Sequence, residues 1–279
     1  MPTLATARSF LFAPGSDERK LAGALEAAAD AVIADLEDAV VPEEKARARD
    51  VVAQALGGSR GPSLRLVRVN GADTAWFADD LAWLAQLELD GVVLPKATPE
   101  GVAALGAGRP VVAIVETAAG LHRAAGVAAA EPTAALMLGA VDLALALGLE
   151  PRSDALELLH ARSEVVLASA LAGRRGPVDR VWLDVRDDAG LEMDCRFGRS
   201  LGFRGKSCIH PAQVAVVNEV FSPSPDELVR ARDVVDAYAR GAADGRGAVA
   251  LDGEMIDLPV VERARQLLTD AERSVSHGE

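Results

Sequence analysis

Cysteine is scarce in this chain: two residues among 279, Cys195 and Cys208. Their spacing suits neither a metal-ligand pair nor a disulfide framework, so a reducing, cytoplasmic setting is expected. Positive charge is also short. Twenty-nine Lys and Arg face 42 Asp and Glu, giving a net charge of −13 and a pI near 4.8. That balance argues against nucleic acid or an anionic membrane as the main partner, and an anionic ligand would need a local cationic cluster. Lysine occurs only at Lys20, Lys45, Lys96 and Lys206, with arginine in nearly every other cationic position. No apolar run is long enough to span a bilayer, and the opening MPTLATARSFLFAPG, broken by Pro14, does not read as a signal peptide. The chain also lacks a G-x-G-x-x-G fingerprint and a P-loop, the usual marks of dinucleotide and nucleotide-phosphate binding.

What is present is alternation. Half of the residues are apolar, enough for a large core. Strand-like runs fall at 9–14, 31–36, 64–69, 91–96, 111–116, 135–140, 178–185 and 203–210. Helix-like segments follow each, at 17–29, 43–56, 74–87, 98–105, 117–129, 153–172, 187–201 and 211–220, with Asp17, Pro42, Asp73, Thr98 and Ser153 as starts. Eight β-then-α units favour a (β/α)8 TIM barrel over a doubly wound sheet. Residues 1–221 would form the barrel and 222–279 a C-terminal helical extension and lid. In that extension Ser224 or Asp226 caps a helix, Gly241–Gly253 is a glycine-rich hinge and 254–272 a second helical arm. The polar tail after about Ser274 is expected to be disordered.

Barrel enzymes carry their chemistry at the carboxyl ends of the strands. Read in order, those ends deliver Asp35, Glu37 and Asp38, then Arg68 and Asn70, then Lys96, Glu116, Asp142, Asp184 and His210. Two apolar runs, VVAIVETAAG at 111–120 and LMLGAVDLA at 136–144, each stop at one carboxylate, Glu116 and Asp142. An acid at the end of a buried strand has to be paired, solvated or metal-bound. Several carboxylates with few histidines favour Mg2+ or Mn2+ over zinc. Glu116 and Asp142 would be direct ligands, Glu37 and Asp38 would hold the water shell, and Arg68 would bind a carboxylate or steady an oxyanion.

RSFLFAPG at 8–15, DLEDAV at 35–40, RVN at 68–70, LPK at 94–96, VETAAGL at 115–121 and GAVDLA at 139–144 occur in order, followed by DVRDDAGL at 184–191, GKSCIHPAQ at 205–213, FSPSP at 221–225 and GEMIDLPVV at 253–261. This series resembles the citrate lyase β-subunit-like branch of the HpcH/HpaI aldolase superfamily. Its pattern is most similar to the stand-alone citramalyl-CoA and malyl-CoA lyases. The resemblance implies a Mg2+-binding barrel, a homotrimer or dimer of trimers, and a carbon–carbon lyase acting on a CoA thioester to release acetyl-CoA and pyruvate or glyoxylate. It assigns the metal to Glu116 and Asp142, acyl contacts to Arg68, and the proton transfer at the enolate carbon to Asp257 of the M-I-D-x-P segment. CoA contacts would come from Phe12, Arg19 and Lys20, with Lys45 a weaker candidate. Asp38 and Asp184 would touch the substrate. The segment PGSDERK at 14–20 also opens a helix whose N–H groups can meet phosphate. One departure is Val141, where the family commonly has an acid.

Rival readings attach to the same residues. Lys96 could form a Schiff base with a keto acid. The chain could be the β subunit of a citryl lyase that needs an acyl-carrier protein, a malyl-CoA thioesterase or malate synthase-like enzyme, or a CoA-ester binding protein without turnover.

Overall fold

In the computed structural model, which describes residues 2–58, 61–152 and 154–275, eight parallel strands close into a barrel in sequence order. They are β1 Ser9–Pro14, β2 Ala31–Asp35, β3 Leu64–Arg68, β4 Gly91–Leu94, β5 Val111–Val115, β6 Thr133–Leu138, β7 Val178–Asp179 and β8 Gly205–Cys208. The helices between them are α1 Glu18–Glu26, α2 Lys45–Leu56, α3 Phe77–Leu84, α4 Pro99–Ala104, α5 Ala118–His122, α6 Ala124–Ala129, α7 Ala140–Leu147, α8 Leu159–Leu171, α9 Asp188–Leu201 and α10 Gln213–Val220. The fold is therefore a (β/α)8 barrel.

The strands are apolar along their whole length because both faces are buried. Phe10, Ile33, Leu66, Val93, Val112, Ile114 and Met137 form one cluster, the barrel interior. Their chain neighbours Leu11, Val32, Val67, Val92, Ala113 and Leu136 belong to another, packed with helix residues such as Leu21, Val52, Val165 and Val217. Side chains alternate with a period of two. Two residues beyond the interior floor come Phe12, Asp35, Arg68, Glu116 and Gly139. The residues with chemistry thus form one layer above an apolar plug, with Asp35 directly opposite Arg68 in register.

Several boundaries differ from the sequence reading. β7 ends at Asp179 instead of 185. The reason is Gln213, which is buried. Its Nε2 donates to the Trp182 carbonyl at 2.8 Å, and its Oε1 accepts from the N–H groups of Ile209 and His210 at 2.9 and 3.3 Å. One side chain satisfies the backbone that a longer strand pair would have satisfied. Helix 117–129 is broken at Arg123 into α5 and α6. Helix α7 was not anticipated, because AVDLALAL reads as the end of an apolar run. Helix 153–172 begins only at Leu159, after a 3-10 turn at Leu156–Leu158. Its proposed start, Ser153, lies outside the described residues. Asp17 and Thr98 do cap their helices, each accepting a backbone N–H.

A charged cluster lies between β7, β8 and the helices α8 and α9. Arg162 donates to Asp179 and Asp194 at 2.8 Å each. Lys206 reaches Asp194 at 2.5 Å and Asp179 at 3.4 Å, and Arg180 adds a 2.8 Å pair to Asp194. Arg162, Asp179 and Lys206 are 0% exposed. The attached cations hold the Asp194 carboxyl well below the usual carboxylate range against the opposing effect of burial.

The chain divides into two compact units, Met1–Phe221 and Ser222–Glu279. In the second, α11 Pro225–Ala243 is followed by strands β9 Val249–Leu251 and β10 Glu254–Ile256 and by helix α12 Leu258–Val275. Ser224 and Glu227 form a reciprocal capping box at the start of α11. Ser224→Ala is expected to cost about 1 kcal/mol, readable as a lower urea midpoint for this unit. The segment Gly241–Gly253, read as a glycine-rich hinge, contains half of a hairpin: β9 pairs antiparallel with β10. The two-residue turn is Asp252-Gly253, with φ of +52° and +85°, the left-handed pair that Asp-Gly favours. Arg230 of α11 holds it through Asp252 and Glu254 at 2.5 and 2.8 Å. The tail beyond Val275 lies outside the described residues.

Candidate active site

A cavity of about 320 Å³ opens above the apolar floor, lined among others by Phe12, Asp35, Arg68, Glu116, Val141, Asp142 and Ser207. Glu116 is the residue after β5. Thr117 then accepts the N–H of Gly120 at 2.9 Å and starts α5, so the chain turns away and leaves Glu116 as the last inward residue of the strand. Glu116 is 3% exposed. Its Oε1 accepts the backbone N–H of Lys96 at 2.7 Å, and a Cβ at position 139 would collide with its Oε2, which is why glycine stands there. Burial first, then the nearby Glu37 and Asp142 carboxylates, push the Glu116 carboxyl up to about 8, against the Lys96 N–H and Arg68.

Asp142 lines the same cavity, though not from a strand end. It sits in the first turn of α7, where an acid is favoured by the helix dipole. Val141 beside it is 51% exposed on the cavity wall.

Arg68, the last residue of β3, is fixed from three sides. Its Nε and Nη2 donate to the two Asp35 oxygens at 2.7 and 2.6 Å. Its Nη1 pairs with Glu37 at 3.0 Å, and its guanidinium lies 5.2 Å from the Phe12 ring centroid. Burial alone would lower its pKa; Asp35, Glu37 and Glu116 outweigh burial and raise it. The sequence reading gives Asp35 no role beyond a place on the rim. The signal available was its inward position on β2 at the level of Arg68.

Glu37, read as part of a metal's water shell, is instead occupied by cations: Lys96 Nζ at 2.5 Å on Oε1 and Arg68 on Oε2. Burial pushes its carboxyl upward and those two cations pull against it. For Lys96, burial acts downward, but Glu37, Asp38 and Glu116 raise the ammonium above its usual range. A Schiff-base lysine needs the opposite shift. Lys96 is also held at a φ of +47°, a strained backbone that aims its N–H at Glu116.

Other sequence candidates are placed elsewhere. Asp38 is exposed on the loop after β2. Asp184 lies beyond the short β7, is exposed, caps its own turn by accepting the Arg186 N–H at 3.0 Å, and is not among the cavity-lining residues. Arg19 and Lys20 are exposed in the first turn of α1. The helix start there is already served by an internal anion, since Asp17 accepts the Lys20 N–H at 3.0 Å. Lys45 is buried, with its Nζ on the Leu36 and Glu37 carbonyls at 2.7 and 2.8 Å, which removes it as a coenzyme contact. Asp257, in the second unit, directly precedes α12, and its Oδ1 accepts the Val260 N–H at 3.4 Å, the position of a helix cap. Among the described residues no group of three or more His, Cys, Asp or Glu side chains gathers as a metal cluster; the cavity's two candidate carboxylate ligands are Glu116 and Asp142.

The chain is similar over nearly its whole length to proteins of known type. It is 41% identical over 270 residues to a (3S)-malyl-CoA thioesterase of Cereibacter sphaeroides, covering 95% of this chain and 94% of the relative. It is 40% identical over 275 residues to a citrate lyase subunit beta-like protein of Deinococcus radiodurans, covering 94% and 96%. Among solved structures, CitE of Mycobacterium tuberculosis in complex with magnesium, acetoacetate and coenzyme A superposes with a TM-score of 0.84 at 38% identity, covering 96% of this chain and 99% of that one. Residues 8–211 match the family described as HpcH/HpaI aldolase/citrate lyase. That span holds all eight strands of the barrel with its carboxylate-and-arginine layer, and on this agreement of sequence and architecture the chain belongs to the HpcH/HpaI aldolase/citrate lyase family.

Proposed function

We propose that this chain is a magnesium-dependent lyase that cleaves, or forms, a malyl-CoA- or citramalyl-CoA-type thioester. The observation that carries the reading is the buried Glu116 carboxyl sharing one cavity with Asp142 and a rigidly held Arg68. Two carboxylates without a third protein ligand suit Mg2+, which keeps positions open for water and substrate oxygens. Manganese has the same preference for oxygen donors. Glu116 and Asp142 would hold the ion, whose charge would favour the ionised form of a Glu116 carboxyl that burial first, and the Glu37 and Asp142 carboxylates next, push upward. When bound, it supplies Lewis acidity to the oxygens of a 2-hydroxy acid.

The protein's own groups do the rest. Asp35 and Glu37 lock Arg68, so its positive charge is already in place when negative charge develops, with no reorganisation needed. The Lys96 N–H fixes the orientation of Glu116. The bond between the hydroxyl-bearing carbon and the carbon next to the thioester breaks, and its electron pair stays on the thioester side. The hydroxyl gives up its proton to solvent as its carbon becomes the carbonyl of pyruvate or glyoxylate, and the carbon next to the thioester carbonyl takes a proton to become the methyl group of acetyl-CoA. We assign that proton transfer to Asp257 because of its M-I-D-x-P segment. The cavity volume suits the acyl end alone, so the coenzyme body would lie outside it, near Arg19 and Lys20. Assembly as a homotrimer or dimer of trimers is part of the same proposal.

A second reading, hydrolysis of malyl-CoA to malate and CoA, is favoured by the (3S)-malyl-CoA thioesterase relatives. One experiment separates the two. The purified chain is given malyl-CoA and citramalyl-CoA with Mg2+ and with chelator, and the products are identified. Acetyl-CoA with a 2-oxo acid supports the lyase, free CoA with malate supports the thioesterase, and no product from either removes both. Asp257→Asn should slow exchange of the acetyl-CoA methyl protons in D2O by about 10²-fold; unchanged exchange would remove Asp257 from the mechanism.

A further inference from the structure

Ser207 belongs to β8, where its neighbours Lys206 and Cys208 face outward, to Asp194 and to the helix layer. Alternation turns Ser207 inward, and register sets it opposite Phe10 at the cavity floor. The residue is 3% exposed and lines the cavity that holds Arg68, Glu116 and Asp142. Its Oγ nevertheless has no hydrogen-bond partner among the described residues. A buried hydroxyl left unpaired is destabilising, and alanine would fit the same space without that penalty.

The cavity is two-sided. Asp35, Arg68, Glu116 and Asp142, from β2 through α7, supply its charged wall. The wall from β7 through β8 to β1 is apolar, with Val181, Ile209, Phe12 and Pro14. Ser207 supplies the polar side chain on that second wall. A hydroxyl among apolar groups recognises a neutral polar atom, because a second charged group there would be left without a counter-ion.

We infer that the Ser207 hydroxyl donates a hydrogen bond to the thioester carbonyl oxygen of the bound acyl group. The inference rests on the proposed function: with the hydroxy-acid end against Glu116 and Asp142, the thioester carbonyl, neutral in the ground state, is the acceptor left between Ser207 and Arg68, whose guanidinium lies against Phe12 of the same apolar wall. Ser207 keeps its proton throughout. As the carbon–carbon bond breaks, negative charge moves onto that carbonyl oxygen, so the hydrogen bond strengthens in the transition state and acts mainly on kcat.

The test compares Ser207→Ala and Ser207→Thr with the wild type. Three quantities are read: cleavage of citramalyl-CoA with Mg2+, pyruvate binding with Mg2+ by calorimetry, and melting temperature without metal. Ser207→Ala should lower kcat about 10- to 100-fold, leave pyruvate affinity unchanged, and hold or raise the melting temperature. Ser207→Thr keeps the hydroxyl and should restore kcat to within about 3-fold, since it differs by less than about 1 kcal/mol. Wild-type kcat in Ser207→Ala, or a fall in melting temperature with it, overturns the assignment and makes the hydroxyl structural. If the wild type turns over neither citramalyl-CoA nor malyl-CoA, the parent reading fails and takes this inference with it.

Discussion

Glu116→Gln is expected to lower turnover by roughly 10³-fold or more while leaving the fold intact, because it removes a charged oxygen donor worth several kcal/mol at the transition state. The same substitution has an opposite effect on stability. In the metal-free protein the buried Glu116 carboxyl is pushed up to about 8 from an ordinary 4.5, chiefly by burial. A group whose folded-state pKa is raised holds its proton more tightly in the folded chain. Its contribution is fully present below pH 4.5 and drains away as pH rises toward 8, at about 1.4 kcal/mol per pH unit. Melting curves in chelator should therefore fall between pH 5 and pH 8 for the wild type. Glu116→Gln, which cannot ionise, should be flatter over that range and more stable than the wild type at pH 8. Mg2+ should restore the wild type at pH 8 and leave the variant unmoved. Parallel melting curves for the two proteins across this range would show that Glu116 is not the group responsible.

Arg68→Met is expected to damage stability and activity together. It leaves Asp35 and Glu37, 2% and 4% exposed, without the guanidinium that neutralises them. Stranding buried carboxylates in this way costs about 3–5 kcal/mol. Turnover should drop by about 10²- to 10³-fold as the fixed positive charge disappears. Arg68→Lys keeps a charge but cannot reproduce the two-pronged contact with Asp35. It should regain much of the urea midpoint and little of the turnover. For Arg68→Met the stability deficit should be smaller at pH 5 than at pH 8, since Glu37, already pushed upward by burial, protonates more readily once the cation is gone. Equal urea midpoints for Arg68→Met and wild type would mean that Asp35 and Glu37 find other partners.

The barrel was legible because strands buried on both faces become continuous apolar runs, and eight of them stand between helix-like segments. Glu116 and Arg68 were legible for the same reason: each ends such a run. Asp142 was readable as an acid but not as a helix residue, since an apolar helix start continues the look of the strand before it. Lys45 read as a weaker coenzyme contact, and Lys206 as no more than one of four lysines, because periodicity carries no information about whether a cation will find buried oxygens. Asp184 was misplaced because Gln213, thirty residues on in sequence, ends β7 early through a single amide. Ser207 gave no signal at all, since an unpaired hydroxyl is a property of three dimensions.

The charges sealed behind β7 and β8 have a consequence for how this chain can change. Arg162 and Lys206 share the same two aspartates, so no member can be exchanged alone without stranding another. Substitutions in this sector should come as matched sets, a cation and an anion altered together, and libraries that vary these four positions singly should recover almost only the starting residue.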